Sequence, residues 1–191
     1  MTVKVEVRTE DFSAEKESEA VKAASPGAGA LVSFIGIVRG AGIRSMELEH
    51  YPAMTENAVR GIVHDARSRW PAVESVTVIH RVGKLLPGDN IVLVIVSSAH
   101  RREAFEAAEF IMDWLKTEAP FWKKETLTDG TARWVDARES DDAARDRWKN
   151  KKCLKPVTVI CFWYLRRWLR ALLWAQASDG HFPMGLTRSG T

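Results

Sequence analysis

Cysteine is scarce in this chain: Cys153 and Cys161 are the only two in 191 residues. No histidine stands near them at metal-ligand spacing, so neither a disulfide framework nor a zinc site is expected, and the reducing cytoplasm is the expected compartment. Long apolar runs are also missing. The longest, residues 157–165, falls well short of the roughly 20 residues that cross a bilayer. Residues 1–8 alternate apolar and charged side chains where a secretory leader would carry an apolar stretch, and they read as a first strand. Charge of one sign is not in excess either. A net charge of +3 does not argue for nucleic-acid binding, and arginine with aromatic residues clusters only near the C-terminus, with no recognised RNA- or DNA-binding motif. What remains, 46% hydrophobic and 28% charged, is the composition of a globular domain able to bury a core.

Periodicity gives an α+β (mixed α/β) pattern. Residues 3–7 form a strand, and Ser13 caps a helix running to about Ala24. After the Ser25-Pro-Gly-Ala-Gly29 breaker, residues 30–38 are apolar and β-prone and read as a buried strand. Gly40 and Gly42 give a loop before a strand over residues 46–51. Across residues 55–70, Ala58, Ile62 and Ala66 share a helical face, with Val59 and Val63 beside it. Residues 76–82 and 91–97 are strands separated by a turn at Pro87-Gly88-Asp89.

Residues 99–125 hold the chemistry. His100, Arg101 and Arg102 open a helix in which Phe105, Ala108, Ile111 or Met112, and Leu115 recur at three- and four-residue steps and face inward. Pro120 biases Ala119 away from the α region, so the helix ends near Glu118. Lys116 then lies in its last turn, and Lys123 follows the break. Helix N-terminal amides favour anions, so the imidazole and guanidiniums sit where a negative group is held. The ordinary role of lysines near a helix C-terminus is solvated, complementing the dipole, and that suits Lys116 and Lys124. Lys123 differs, because Phe121 and Trp122 stand beside it as apolar walls. Such walls desolvate an ammonium and favour the neutral amine, which serves as nucleophile or general acid–base. Arg39 ends an apolar strand before a glycine loop, either facing solvent or forming a planar fork for phosphate. His50, His64 and His80 show no mutual ligand spacing and read as structural or exposed.

Several short blocks resemble one family in order and spacing. They are Phe34-Ile-Gly-Ile-Val-Arg39, Leu48-Glu-His-Tyr-Pro-Ala-Met54, Arg69-Trp-Pro71, His80-Arg-Val-Gly83, Pro87-Gly-Asp89, the 99–125 stretch and Trp134-Val-Asp-Ala-Arg-Glu139. Together they resemble the catalytic (large) subunit of molybdopterin synthase over residues 3–148. The resemblance implies a single domain of α/β hammerhead-like fold over residues 1–148, with residues 149–191 as a C-terminal extension. It also implies a sulfur transfer, in which a cyclic pyranopterin monophosphate becomes molybdopterin by gaining a dithiolene. The donor is a thiocarboxylate on the C-terminal Gly-Gly of a small ubiquitin-like subunit. Both reactants are anionic, which suits a cationic pocket.

Carried over by position, the family's essential lysines match Lys116 and Lys123. Its substrate-contacting segments match Ile37, Val38 and Arg39, then His100 and Arg101, then Lys123, Lys124 and Glu125. The expectation is that Arg39, His100 and Arg101 hold phosphate and pterin, Lys123 assists the transfer, and Lys116 receives the glycine tail; the two lysine roles are interchangeable at this stage. Glu125 orients a lysine or serves as an exposed ion-pair partner. The resemblance implies no metal and no cofactor for this step, and a dimer of large subunits within a heterotetramer. The alternative is a non-catalytic scaffold that retains the fold and uses its tail at a membrane surface or a partner. Residues 149–191 combine lysines, an apolar run and Arg166, Arg167, Trp168 and Arg170. They suit a basic amphipathic helix, a helix packed on the body or on a partner, or an unselected tail.

Overall fold

The computed structural model describes residues 2–135 and 139–150. The tail beyond them, with every expectation attached to it, and Asp136, Ala137 and Arg138 lie outside the described residues. The first compact unit runs from Met1 to Lys151.

Its frame is a four-stranded sheet, sheet A, in the order β1-β4-β6-β2. β1 (Thr2–Arg8) pairs parallel with β4 (Val73–Arg81), while β6 (Asn90–Ser98) pairs antiparallel with β4 and with β2 (Ala30–Ile37). Both faces are covered, as the unbroken apolar run of β6 requires. Val92, Val94 and Val96 face α2 (Pro52–Arg69) and α3 (Arg101–Glu118), whereas Leu93 and Ile95 face α1 (Ala14–Ala24). Ser13 caps α1, its side chain accepting from the Lys16 amide. α2 begins at Pro52, earlier than the periodicity suggested, because proline fits the first helical position, where no amide partner is needed. α4 (Glu139–Asn150) returns along α3 and buries Trp148 against Phe110 and Trp70.

Two expectations fail in instructive ways. β2 is apolar but not buried. It is the outer strand of sheet A, and Phe34, Ile35 and Ile37 are exposed. In α3 the inward stripe is Ala104, Ala107, Ala108, Ile111 and Leu115, while Phe105 is 63% exposed. The small alanines let the helix lie close on the sheet, and that closeness sets the buried face one position away from Phe105.

A second four-stranded sheet, sheet B, has the order β5-β3-β7-β8. It comprises β3 (Ile43–His50), β5 (Gly83–Leu85), β7 (Phe121–Leu127) and β8 (Ala132–Val135), all antiparallel. The β7–β8 hairpin closes on Asp129 and Gly130. Gly130 has φ of 89°, in the left-handed region open to glycine, and the Asp129 carboxylate accepts from the Thr131 amide at 2.8 Å.

Candidate active site

Strand alternation sorts the residues of β7. Lys123 lies opposite Leu48 on β3 and Val135 on β8, and Glu125 lies opposite Met46 and Arg133. Directly opposed residues share a face, so Phe121, Lys123 and Glu125 join Met46 and Leu48 on the inner side of sheet B. There Met46, Leu48, Leu85 and Val38 form a small apolar cluster. The walls of Lys123 are therefore Leu48 and Val135. Trp122, expected beside it, points to the other face, where it meets Tyr51 edge-on at 5.4 Å.

Lys123 is two-thirds covered, and its Nζ stands 3.5 Å from Glu125 Oε1. Glu125 is 7% exposed. Its other oxygen, Oε2, accepts from Arg133 Nη2 at 3.0 Å and Nε at 3.3 Å. Burial pushes the Glu125 carboxyl up, but hydrogen bonding from Arg133 and the nearby Lys123 ammonium more than offset it, so the group stays below its ordinary value. Glu125 is thus a buried anion shared between two cations, and the exposed ion-pair role is excluded. Lys124 faces away, with Nζ 5.6 Å from the Trp134 ring centre, so it does not share a surface with Lys123.

Phe121 anchors the start of β7. The His80 ring stacks on it at 3.8 Å and 14°, and His50 lies at 6.3 Å. Loss of solvent pushes the His80 imidazole down to about 4, against the opposing pull of the Arg81 carbonyl, which accepts from Nδ1 at 2.9 Å. His80 is thus a neutral packing group at neutral pH.

Arg39 follows Val38, whose amide donates to the Asp89 carbonyl at 2.9 Å. Val38 is buried in the same cluster as Leu48 and Met46, while Ile37 and Arg39 are exposed. Lys116 occupies the last turn of α3, where Pro120 ends the helix as expected. It is also exposed, with Nζ 3.3 Å from Asp141.

His100 and Arg101 are elsewhere. His100 is the N-cap residue of α3, with no side-chain capping bond. With Gly29, Ala99, Arg101, Arg102 and Glu103 it lines an open cavity of 510 Å³. Gly29 is required there: a Cβ would come within 2.5 Å of the Ala99 carbonyl oxygen. From His100 to Lys116 the helix rises about 24 Å, and β2 covers a similar span between the Gly29 end and Arg39. His100 and Arg101 therefore stand at one end of α3 and Lys116 at the other. Arg39 follows Val38, which shares an apolar cluster with Leu48, the residue opposite Lys123. The expected joint hold of Arg39, His100 and Arg101 on a single ligand is not made within one chain.

Leu48, Val135 and Arg133 escaped the sequence reading. The signal that finds Val135 and Arg133 is the Asp129-Gly130 turn, which folds β8 back on β7 and sets Arg133 opposite Glu125. Leu48 is set by the pairing of β3 with β7, which no local turn announces.

The fold defines an α+β domain of two four-stranded sheets with cations at both ends of α3, and comparison with known proteins gives its family. The model of the family described as "MoaE protein" matches residues 7–118. A "Molybdopterin synthase catalytic subunit" of Ralstonia nicotianae is 55% identical over 148 residues, covering 75% of this chain and 83% of that one. Its counterpart of the same name in Vibrio cholerae is 53% identical over 153 residues, 78% of this chain and all of that one. The solved "Molybdopterin biosynthesis MoaE protein" of Burkholderia ambifaria superimposes with a TM-score of 0.69 at 51% identity, covering 78% of this chain and 99% of that one. The chain belongs to the MoaE family. Among the described residues no helix is long and apolar enough to cross a membrane.

Proposed function

We propose that this chain is the catalytic subunit of a molybdopterin synthase, acting in the cytoplasm. It transfers sulfur from a thiocarboxylated small subunit to cyclic pyranopterin monophosphate. The observation that carries this reading is Lys123, half-buried between Leu48 and Val135 and held near the buried Glu125 carboxylate, in a chain whose relatives bear that enzyme's name. A catalytic subunit implies a second chain, and a small carrier ending in Gly-Gly is the partner proposed here.

The chemistry follows from the charges. A thiocarboxylate and a phosphate repel each other, and fixed cations bring them together and offset charge that develops at the attacked carbonyl. Once the carrier's sulfur is bonded to the pterin, water adds to the carrier carbonyl and its C–S bond breaks. The sulfur stays on the pterin, the water oxygen completes the carboxylate, and Lys123 donates a hydrogen bond or a proton at that carbonyl. Lys116 holds the carrier's terminal glycine and neutralises the carboxylate left behind. Arg39, with the backbone of Ile37 and Val38, and His100 with Arg101 bind the phosphate and pterin.

The separation of these residues within one chain is resolved by a second copy. Among the described residues β2 is an outer strand with no neighbour on its far side, and its Phe34, Ile35 and Ile37 are exposed, which suits burial against another protein. A two-fold axis across that edge pairs β2 antiparallel with its mate. Arg39 of one protomer then approaches His100 and Arg101 of the other, giving a dimer with two composite sites.

Two experiments test the reading. Anaerobic conversion of the pyranopterin precursor with thiocarboxylated small subunit is expected for the wild type and lost in Lys123→Ala; a folded wild type that binds the carrier and converts nothing would favour the scaffold alternative. Mixing Lys123→Ala with Arg101→Ala protomers is expected to restore about a quarter of wild-type activity, since half the dimers are mixed and each has one intact composite site. No recovery places both residues in one protomer's site.

A further inference from the structure

We propose that Arg133 is a positioning residue for the sulfur transfer: it holds the Glu125 carboxylate so that Glu125 aims Lys123 without capturing it. The inference rests on the functional reading above. Its basis is the division of labour at one carboxylate. Arg133 places two donors on Oε2, at 3.0 and 3.3 Å. Lys123 stands off Oε1 at 3.5 Å, the far limit of a hydrogen bond.

A buried carboxylate needs a counter-charge, since an isolated one is strongly disfavoured away from water. Two cations face Glu125 among the described residues, Arg133 from β8 and Lys123 from its own strand; the facing residue on β3 is the apolar Met46. Were Lys123 alone to neutralise Glu125, the ammonium would sit in close contact and be withdrawn from any substrate. Arg133 takes over that task. Its planar fork fits the carboxylate and fixes the rotamer of Glu125, whose second oxygen remains as a weak tether. Lys123 is then oriented and still able to reach a reacting carbonyl. Arg133 itself is 60% exposed on the outer strand of sheet B, so its replacement leaves the core intact.

The test compares Arg133→Ala and Arg133→Lys with wild type and Lys123→Ala in the full-length protein charged with thiocarboxylated small subunit. Single-turnover conversion in Arg133→Ala is expected to fall by about ten- to a hundredfold, the cost of a misplaced catalytic group. KM for the pterin should change little, and Arg133→Lys should recover most of the rate. The acid limb of the rate profile should move to higher pH in Arg133→Ala, because a buried Glu125 without its guanidinium protonates more easily. Carbon-13 NMR of the Glu125 side-chain carboxyl reads the same shift without turnover. An unmoved Glu125 titration in Arg133→Ala overturns the inference, and so does an unchanged rate alongside a dead Lys123→Ala. If wild type and Lys123→Ala convert equally poorly, the functional reading fails instead, and the carboxyl titration still decides whether Arg133 governs Glu125.

Discussion

Sheets A and B have four strands each and opposite construction. In sheet A the inner strands β4 and β6 are covered on both sides, and Val76, Leu93, Val94, Ile95 and Val96 have no exposed surface. In sheet B the alternation is visible strand by strand: Met46, Leu48 and Glu125 inward, Glu47, Glu49 and Lys124 outward. Sheet A holds the molecule together, and sheet B presents Lys123, the lysine proposed to react. Stability and chemistry are therefore separable by mutation.

The largest separation is expected at Lys123 and Ile95. Lys123→Ala should lower conversion by about a thousandfold, roughly 4 kcal/mol of barrier, while melting stays close to wild type. Ile95→Ala should cost about 3 kcal/mol of stability through the cavity it leaves, with turnover per folded molecule preserved. A Lys123→Ala protein that melts far below wild type, or an Ile95→Ala protein that is stable but inactive, breaks the comparison.

His80 joins the two sheets, since it lies on β4 and stacks on Phe121 of β7. Its imidazole titrates near 4 in the fold, against an ordinary 6.5. The unfolded chain thus binds the extra proton between those values, so stability rises with pH across that window and is lost as pH falls from about 6.5 to 4, by up to about 3 kcal/mol. Urea unfolding at several pH values should show this slope, and His80→Gln should flatten it. An equal slope in the variant assigns the acid sensitivity to other groups.

Smaller effects come from the exposed cations. The Lys116–Asp141 pair is surface-exposed, so Lys116→Gln should move stability by less than about 0.5 kcal/mol while reducing conversion. Trp134→Ala removes the ring beneath Lys124 and should cost about 0.5–1 kcal/mol. A large activity loss from it would show that the outer face of sheet B also takes part in the reaction.

The two sheets differ as well in how much of them the sequence discloses. β4 and β6 announce themselves as apolar runs, and the Ser13 cap and the Pro120 stop bound α1 and α3 with local chemistry. β7 and β8 carry lysines, glutamate and tryptophans in an order without clean alternation, so only the Asp129-Gly130 turn betrays the hairpin. Phe105 and β2 mislead for different reasons: the small alanines of α3 set which face packs on the sheet, whereas β2 is an apolar outer strand. Apolar character marks what is buried somewhere, and a surface proposed to meet another subunit has the same composition as a core. The resemblance supplied the candidate site residues Arg39, His100, Arg101, Lys116 and Lys123. It said nothing of their distribution over two ends of a domain, which depends on helix length and strand direction.

That length makes α3 a gauge block. Adding a single residue to it would advance one basic end by about 1.5 Å and turn it by about 100°, putting both of the proposed composite sites out of alignment at once. The loop around Gly40 and Gly42 meets no such tolerance, because a Cβ on Gly42 touches nothing within 4 Å, although its φ of 73° still favours glycine. Length variation among functional versions of this domain should therefore collect in that loop and be absent from α3.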